Sequence, residues 1–171
     1  MIIRDLRTEE LAVLREMLYT ALDWRPHGAL PPFDVVVAHP QVKIFHERWG
    51  RAGDTALVAE ERGRLVGLVW YRFFTQTEHG EGFVDEHTPE LAIAVAEHFR
   101  RRGIGAALMA AMHDRARRDG VARISLSVDA DNPAKRLYVR LGYVDVAPDD
   151  DLGRMVLDLS RSSWAPHREL A

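Results

Sequence analysis

The 171-residue sequence contains no cysteine. Disulfides, thiolate metal sites and cysteine nucleophiles are therefore excluded. Long hydrophobic runs are missing too, and nothing approaches the roughly 20 apolar residues of a membrane-spanning helix. The first residues carry no basic-plus-apolar signal peptide. These absences suit a cytoplasmic protein with no membrane partner. There is no internal repeat, low-complexity tract or dividing linker, and the length suits one domain of about 100–200 residues. We read residues 1–171 as a single domain, with 160–171 as a loose C-terminal tail. The eight histidines form no recognisable metal pattern. Neither H-E-x-x-H nor a G-x-S-x-G nucleophile elbow is present, so no metal is expected.

What is present is an ordinary globular composition, 47% hydrophobic and 29% charged. The net charge of −3 argues against a nucleic-acid partner. The charge is unevenly spread. Residues 100–140 hold ten Arg or Lys and four acids, a local charge of +6 that leaves −9 for the rest. Within that segment Arg115, Arg117 and Arg118 read as a solvated helix face. Arg100, Arg101 and Arg102 read differently, because a glycine turn follows them.

Helical and strand patterns alternate along the chain. Ile2-Ile3-Arg4 reads as a strand. Thr8, Glu9 and Glu10 read as a helix start, with Leu11, Leu14, Leu18 and Leu22 at helical spacing behind them. Residues 24–33 form a loop rich in Pro and Gly. A second helix is predicted over 36–49, interrupted near His39-Pro40. Residues 56–60 and 65–74 read as strands joined at Arg62-Gly63. Residues 75–88 read as a polar loop containing Gly80 and Gly82. A strand follows at 91–95. Next comes an amphipathic helix whose buried face is read as Ile104, Ala107, Leu108, Ala111 and Met112, closed by Gly120. Ile124, Leu126 and Val128 alternate with Ser125 and Ser127, a half-buried strand. Pro133 opens another helix and Gly142 closes it. Residues 143–146 and 154–159 give the last strands. The pattern predicts a mixed α/β (α+β) fold.

The most informative stretch is ELAIAVAEHFRRRGIGAALMAAM, residues 90–112. A strand leads through three arginines into Gly103-Ile104-Gly105 and then a helix. Two glycines allow close backbone approach. The first amides of the helix lack partners within it, and its dipole favours an anion. Together these make a seat for a pyrophosphate.

Arg100-x-x-Gly103-x-Gly105 resembles the R/Q-x-x-G-x-G/A acyl-CoA motif of the GNAT N-acetyltransferase superfamily. Downstream, Asn132-Pro133-Ala134-Lys135-Arg136-Leu137-Tyr138-Val139-Arg140-Leu141-Gly142-Tyr143 is similar to its N-x-A-x-x-L-Y-x-x-L-G-F/Y segment. The matched region runs over about 57–159. The resemblance implies a central sheet whose strands splay apart, flanked by helices, and acetyl-CoA as cosubstrate with no metal. It implies that the amides of Arg101, Arg102, Gly103, Ile104, Gly105 and Ala106 bind the CoA pyrophosphate, with Arg100 in the motif's first position. The backbone of Ile93 and Val95 would pair with the pantetheine arm. Asn132 would bond the pantetheine or cap the helix. Two departures stand out: Glu97 where a proline is common, and Asp131 where many relatives carry the asparagine.

Tyr138 is the candidate catalytic acid. A phenol with pKa near 10 can protonate a departing thiolate. The alternative is a packed aromatic. The amine acceptor arrives as an ammonium, so a general base is expected. Asp85, Glu86, His87 and Glu90 are candidates, each also readable as a loop charge. Strand alternation sets Glu90 with Ala92 and Ala94, opposite Leu91, Ile93 and Val95. Trp24, His27, Trp70, Tyr71 and Arg72 could line an acceptor pocket or simply pack. The resulting expectation is direct ternary-complex transfer to a primary amine, with a strand amide near Val95 polarising the thioester. A small molecule is expected as the acceptor, and a homodimer is compatible with this reading. The competing readings are a protein or peptide amino group as acceptor, a non-catalytic acyl-CoA sensor, and a dinucleotide-binding enzyme with Asp129 on the ribose.

Overall fold

The computed structural model describes residues 1–25, 30–147 and 150–160. His27 and the tail from residue 161 lie outside them. The strands are β1 (Ile2–Asp5), β2 (Thr55–Glu61), β3 (Arg64–Arg72), β4 (Glu90–Val95), β5 (Arg123–Ser127), β6 (Val144–Asp145) and β7 (Arg154–Asp158). They form one sheet in the order β1-β2-β3-β4-β5-β7-β6. The helices are α1 (Ala12–Leu22), α2 (Phe33–Ala38), α3 (Pro40–Lys43), α4 (Ile104–Arg118) and α5 (Lys135–Arg140). No helix among the described residues is long and apolar enough to cross a membrane.

Alternation along the central strands divides the core in two. Leu91, Ile93 and Val95 of β4 join Tyr71 of β3 in a cluster with Ile104, Leu108 and Met112 of α4. Ala92 and Ala94 join Trp70 in a second cluster with Leu14, Met17 and Leu18 of α1. Successive strand residues point to opposite faces, so each helix covers one side of the sheet. Leu108, Met109 and Met112 lose all exposure. Burying each such side chain contributes about 1.5–3 kcal/mol. The buried stripe of α4 runs through Met109 and His113 rather than Ala107 and Ala111, which are half-buried.

Several local expectations need correction. The interruption expected near His39-Pro40 is there, at His39 (ψ 134°), but the first helix already starts at Phe33 and regular helix stops at Lys43 rather than at 49. The residue before a proline is pushed out of helical geometry, which is why the break falls there. Regular helix begins at Lys135 rather than Pro133. Strand β5 is covered on both faces, because Ser125 is fully buried with its hydroxyl 3.4 Å from the Pro89 carbonyl.

Of the two readings of Arg72, pocket lining or packing, the structure takes packing. Arg72 packs as a clasp, with Nε and Nη2 donating to Asp54 at 2.8 and 2.6 Å. Its remaining donors take the carbonyls of Ile44, Glu47 and Arg48. Both partners are almost fully enclosed, at 0% and 2% side-chain exposure. Arg72 thus ties the turns after α3 to β2 and β3. We expect Arg72→Met to lose about 3–5 kcal/mol, because Asp54 would be left buried without its counter-charge, keeping only the Gly50 and Arg51 amides. A urea midpoint within error of the parent would refute the clasp.

Candidate active site

The site begins where the sheet splits. β4 and β5 run parallel and share a single register pair, Glu90 with Ser125. The Ser125 amide donates to Pro89 across that line at 3.0 Å, and beyond it the strands part. On the other side the Ala96 amide bonds Val66, back toward β3. Backbone groups alternate sides along a strand. Those of Leu91, Ile93 and Val95 therefore face the opening. The Val95 carbonyl meets Arg100 Nε there at 3.1 Å.

At one end of the opening stands the start of α4. Gly103 holds φ 80°, a left-handed conformation that favours glycine. Among the described residues the amides of 101–106 have no acceptor. They form a row of free donors at the positive end of a 15-residue helix. The arginines diverge. Arg100 bonds Val95, and Arg102 pairs with Glu61 at 3.2 Å and lies over the Phe99 ring. Arg101, at φ 62°, makes no ion pair or hydrogen bond with a described residue. The other basic residues behave as a surface: Arg115 pairs with Asp5 and Asp119, Arg117 with Asp114, and Arg123 with Asp85.

Tyr138 reaches the opening from α5. Its carbonyl receives the Tyr143 amide at 3.0 Å, while the Gly142 amide bonds Val139. This six-to-one closure needs the left-handed Gly142, at φ 92°. It brings the Tyr143 ring 5.9 Å from that of Tyr138, and Tyr143 is held in turn by a 3.0 Å hydrogen bond to buried His113. Tyr138 is buried, yet its hydroxyl has no hydrogen-bond partner among the described residues. Burial pushes its pKa up to about 12, so the phenol keeps its proton. Asn132 holds the turn ahead of α5: its Oδ1 accepts the Ala134 amide at 2.9 Å, leaving the amide nitrogen free to act elsewhere.

Glu90 closes the inner end. It is 3% exposed, and one oxygen accepts the Gly82 amide at 2.7 Å. The other oxygen is buried without a partner. Burial pushes its pKa up to about 7, with the Gly82 and Gly80 amides opposing the rise. The glycines explain how the loop fits: a Cβ on either Gly80 or Gly82 would stand 2.7 Å from the carboxylate. Sequence reasoning missed this cradle, although Gly80-Glu81-Gly82 was its signal. Asp85 instead pairs with Arg123, and Glu86 accepts the Gln76 amide. Trp70 donates to the Phe45 carbonyl, Tyr71 is core, and Trp24 stacks with Arg25.

One cavity of about 470 Å³ brings Glu90, Ile93, Asn132 and Tyr138 together, while Val95 and residues 100–106 do not line it. Glu90, Leu91, Ala92 and Ile93 line it from β4, with Leu126, Ser127, Val128, Asn132 and Tyr138 facing them. α1, α2 and α3 supply the outer wall. Asp85, Glu86, His87, Trp24, Trp70, Tyr71 and Arg72 do not line it. Among the described residues no group of three or more His, Asp or Glu could hold a metal ion.

A split parallel pair, a row of free amides at a helix start and an unpartnered phenol between them define the frame of an acyl-transferring enzyme. The sequence matches the Acetyltransferase (GNAT) family over residues 17–143, and the chain belongs to that family. It is 34% identical over 96 residues to mycothiol acetyltransferase of Brachybacterium faecium, a match covering 56% of this chain and 27% of that protein. The ribosomal-protein-alanine N-acetyltransferase of Brucella melitensis superposes with a TM-score of 0.63 at 25% identity, over 92% of this chain and 99% of that one. The PaiA N-acetyltransferase of Thermoplasma acidophilum, in complex with coenzyme A, superposes at 0.68 with 16% identity, over 92% and 98%. The dinucleotide-binding reading of the glycine turn falls with the family match.

Proposed function

We propose that this single domain transfers an acetyl group from acetyl-CoA to the primary amine of a small molecule, in one ternary complex. The observation that carries the reading is the shared cavity: the Glu90 carboxylate, one oxygen of which has no partner, and the unpartnered Tyr138 hydroxyl line one space where β4 and β5 part. The free amides of 101–106 hold the pyrophosphate, assisted by Arg101. Backbone groups of Ile93 and Val95 pair with the pantetheine arm, and the free Asn132 amide nitrogen supports it. A β4 amide near Val95 polarises the thioester carbonyl. Glu90 accepts the proton of the incoming ammonium, for which a pKa near 7 is suited. The neutral amine attacks the carbonyl carbon, the C–N bond forms as the C–S bond breaks, Tyr138 gives its proton to the thiolate, and the phenolate is reprotonated by the second proton that the nitrogen sheds as it becomes an amide. A cavity of about 470 Å³ favours a small acceptor over a peptide.

Initial rates against both substrates test the reading. Intersecting lines and CoA release in proportion to amine are expected, since the chain has no cysteine to carry the acetyl group. Parallel lines, or acetylated enzyme trapped without amine, would overturn it. The phosphate seat has its own test. A Cβ on Gly105 would meet Leu137 at 3.6 Å and Val95 at 3.8 Å, ordinary contacts that the fold tolerates. The further methyls of Gly105→Val crowd the helix start against the opening. Calorimetry should show acetyl-CoA affinity down by about tenfold or more, roughly 1.4 kcal/mol. Unchanged affinity in a folded variant would move the phosphates elsewhere.

A further inference from the structure

We infer that the acceptor is a primary amine on an apolar, otherwise uncharged body, without a carboxylate, a phosphate or a second ammonium. This rests on the acetyl-transfer reading above and concerns the outer half of the same cavity. Leu18, Ala21 and Leu22 of α1 line it at positions that share one helix face. Val36, Val42 and Phe45 stand across from them. At the rim Leu22 and Val35 keep 38% and 59% exposure, apolar surface that a bound apolar group would cover.

The charges are placed as sharply as the apolar surface. Glu81, which is exposed, and the buried Glu90 are the carboxylates lining the cavity among the described residues, and the exposed His39 is the imidazole there. Glu81 is close enough to oppose ionisation of Glu90. Both acids therefore address one ammonium at the reacting end. No Arg or Lys among the described residues lines the cavity. Nearby cations are engaged elsewhere, Arg25 with Asp129 and Arg154 with Asp150. An acceptor carboxylate would lose its water facing two acids, with no Arg or Lys among the described lining residues to offset them, which is costly. A second ammonium further along the molecule would lie among aliphatic side chains.

The test uses matched pairs with the full chain: phenethylamine against phenylalanine, and pentylamine against cadaverine. We expect kcat/KM to favour the first of each pair by about 10²-fold or more, as expected when a polar group is left unpaired in a site. Gln41 lines the cavity and is exposed, so Gln41→Arg adds a cation at little risk to the fold. That variant should narrow the phenethylamine preference by about tenfold, roughly one ion pair's worth. Phenylalanine or cadaverine turned over as well as its partner, with CoA released, would overturn the inference and leave acetyl transfer standing. Acetyl-CoA bound by calorimetry with no CoA released to any amine would overturn acetyl transfer itself, and the inference with it.

Discussion

Tyr138→Phe is expected to lower kcat by about 10²–10⁴-fold, the usual worth of a positioned proton donor. Acetyl-CoA affinity should stay within a few-fold, because the lost interaction matters mainly as the thiolate forms. Stability should hold as well. The ring that packs beside Tyr143 remains, and the hydroxyl leaves no orphan behind, having no partner among the described residues. The pH profile carries a further expectation. With its pKa pushed up to about 12, the phenol is protonated across any practical assay range. The variant should therefore be slow at every pH, with the shape of the profile unchanged. A variant that keeps kcat within a few-fold, when chemistry limits the rate, would return Tyr138 to packing. One that loses stability and affinity together would do the same.

Local pattern made the glycine turn and helix start legible and left the outer cavity wall dark. Gly103, Gly105 and the strand before them are read from adjacent residues, because a turn and a helix start are short-range events. The opposite faces of Trp70 and Tyr71 follow from strand period alone. Arg72 was opaque for the opposite reason. Its partner Asp54 and the carbonyls of 44–48 lie 18 to 28 residues away, so nothing near Arg72 marks it as a clasp. Ser125 read as an outward face because alternation reports polarity, not whether a loop lies over the strand. The outer cavity wall depends on how α1, α2 and α3 pack, and their apolar spacing is the same whether they cover core or line a cleft. Glu90 falls between these cases. Its face was readable, but its unpartnered oxygen depends on Gly80 and Gly82, which cross it from a different segment.

Glu90→Gln should change activity and stability in opposite senses. Activity should fall by about 10²–10⁴-fold, and the rise of kcat with an apparent pKa near 7 should vanish, if this carboxylate takes the proton. Stability runs the other way. The carboxyl rises from an ordinary 4.5 to about 7 through burial, so between those values the folded protein holds more protons than the unfolded chain. Stability from this group therefore falls as pH rises through the window and is lowest above pH 7. The cost there is roughly 3 kcal/mol, and Gln escapes it. The variant should be the more stable protein at pH 8 and should lose that advantage by about pH 4.5. His113 acts in the opposite direction. Burial lowers its pKa from 6.5 to about 4, so stability falls as pH drops from 6.5 toward 4. Groups such as Glu10, held down to about 2 chiefly by Arg4, are common to both proteins and cancel in the difference. Urea midpoints at pH 4.5, 6.5 and 8 measure that difference. If the two proteins run parallel across the range, Glu90 is not a shifted carboxyl, and the proton must leave the amine by another route.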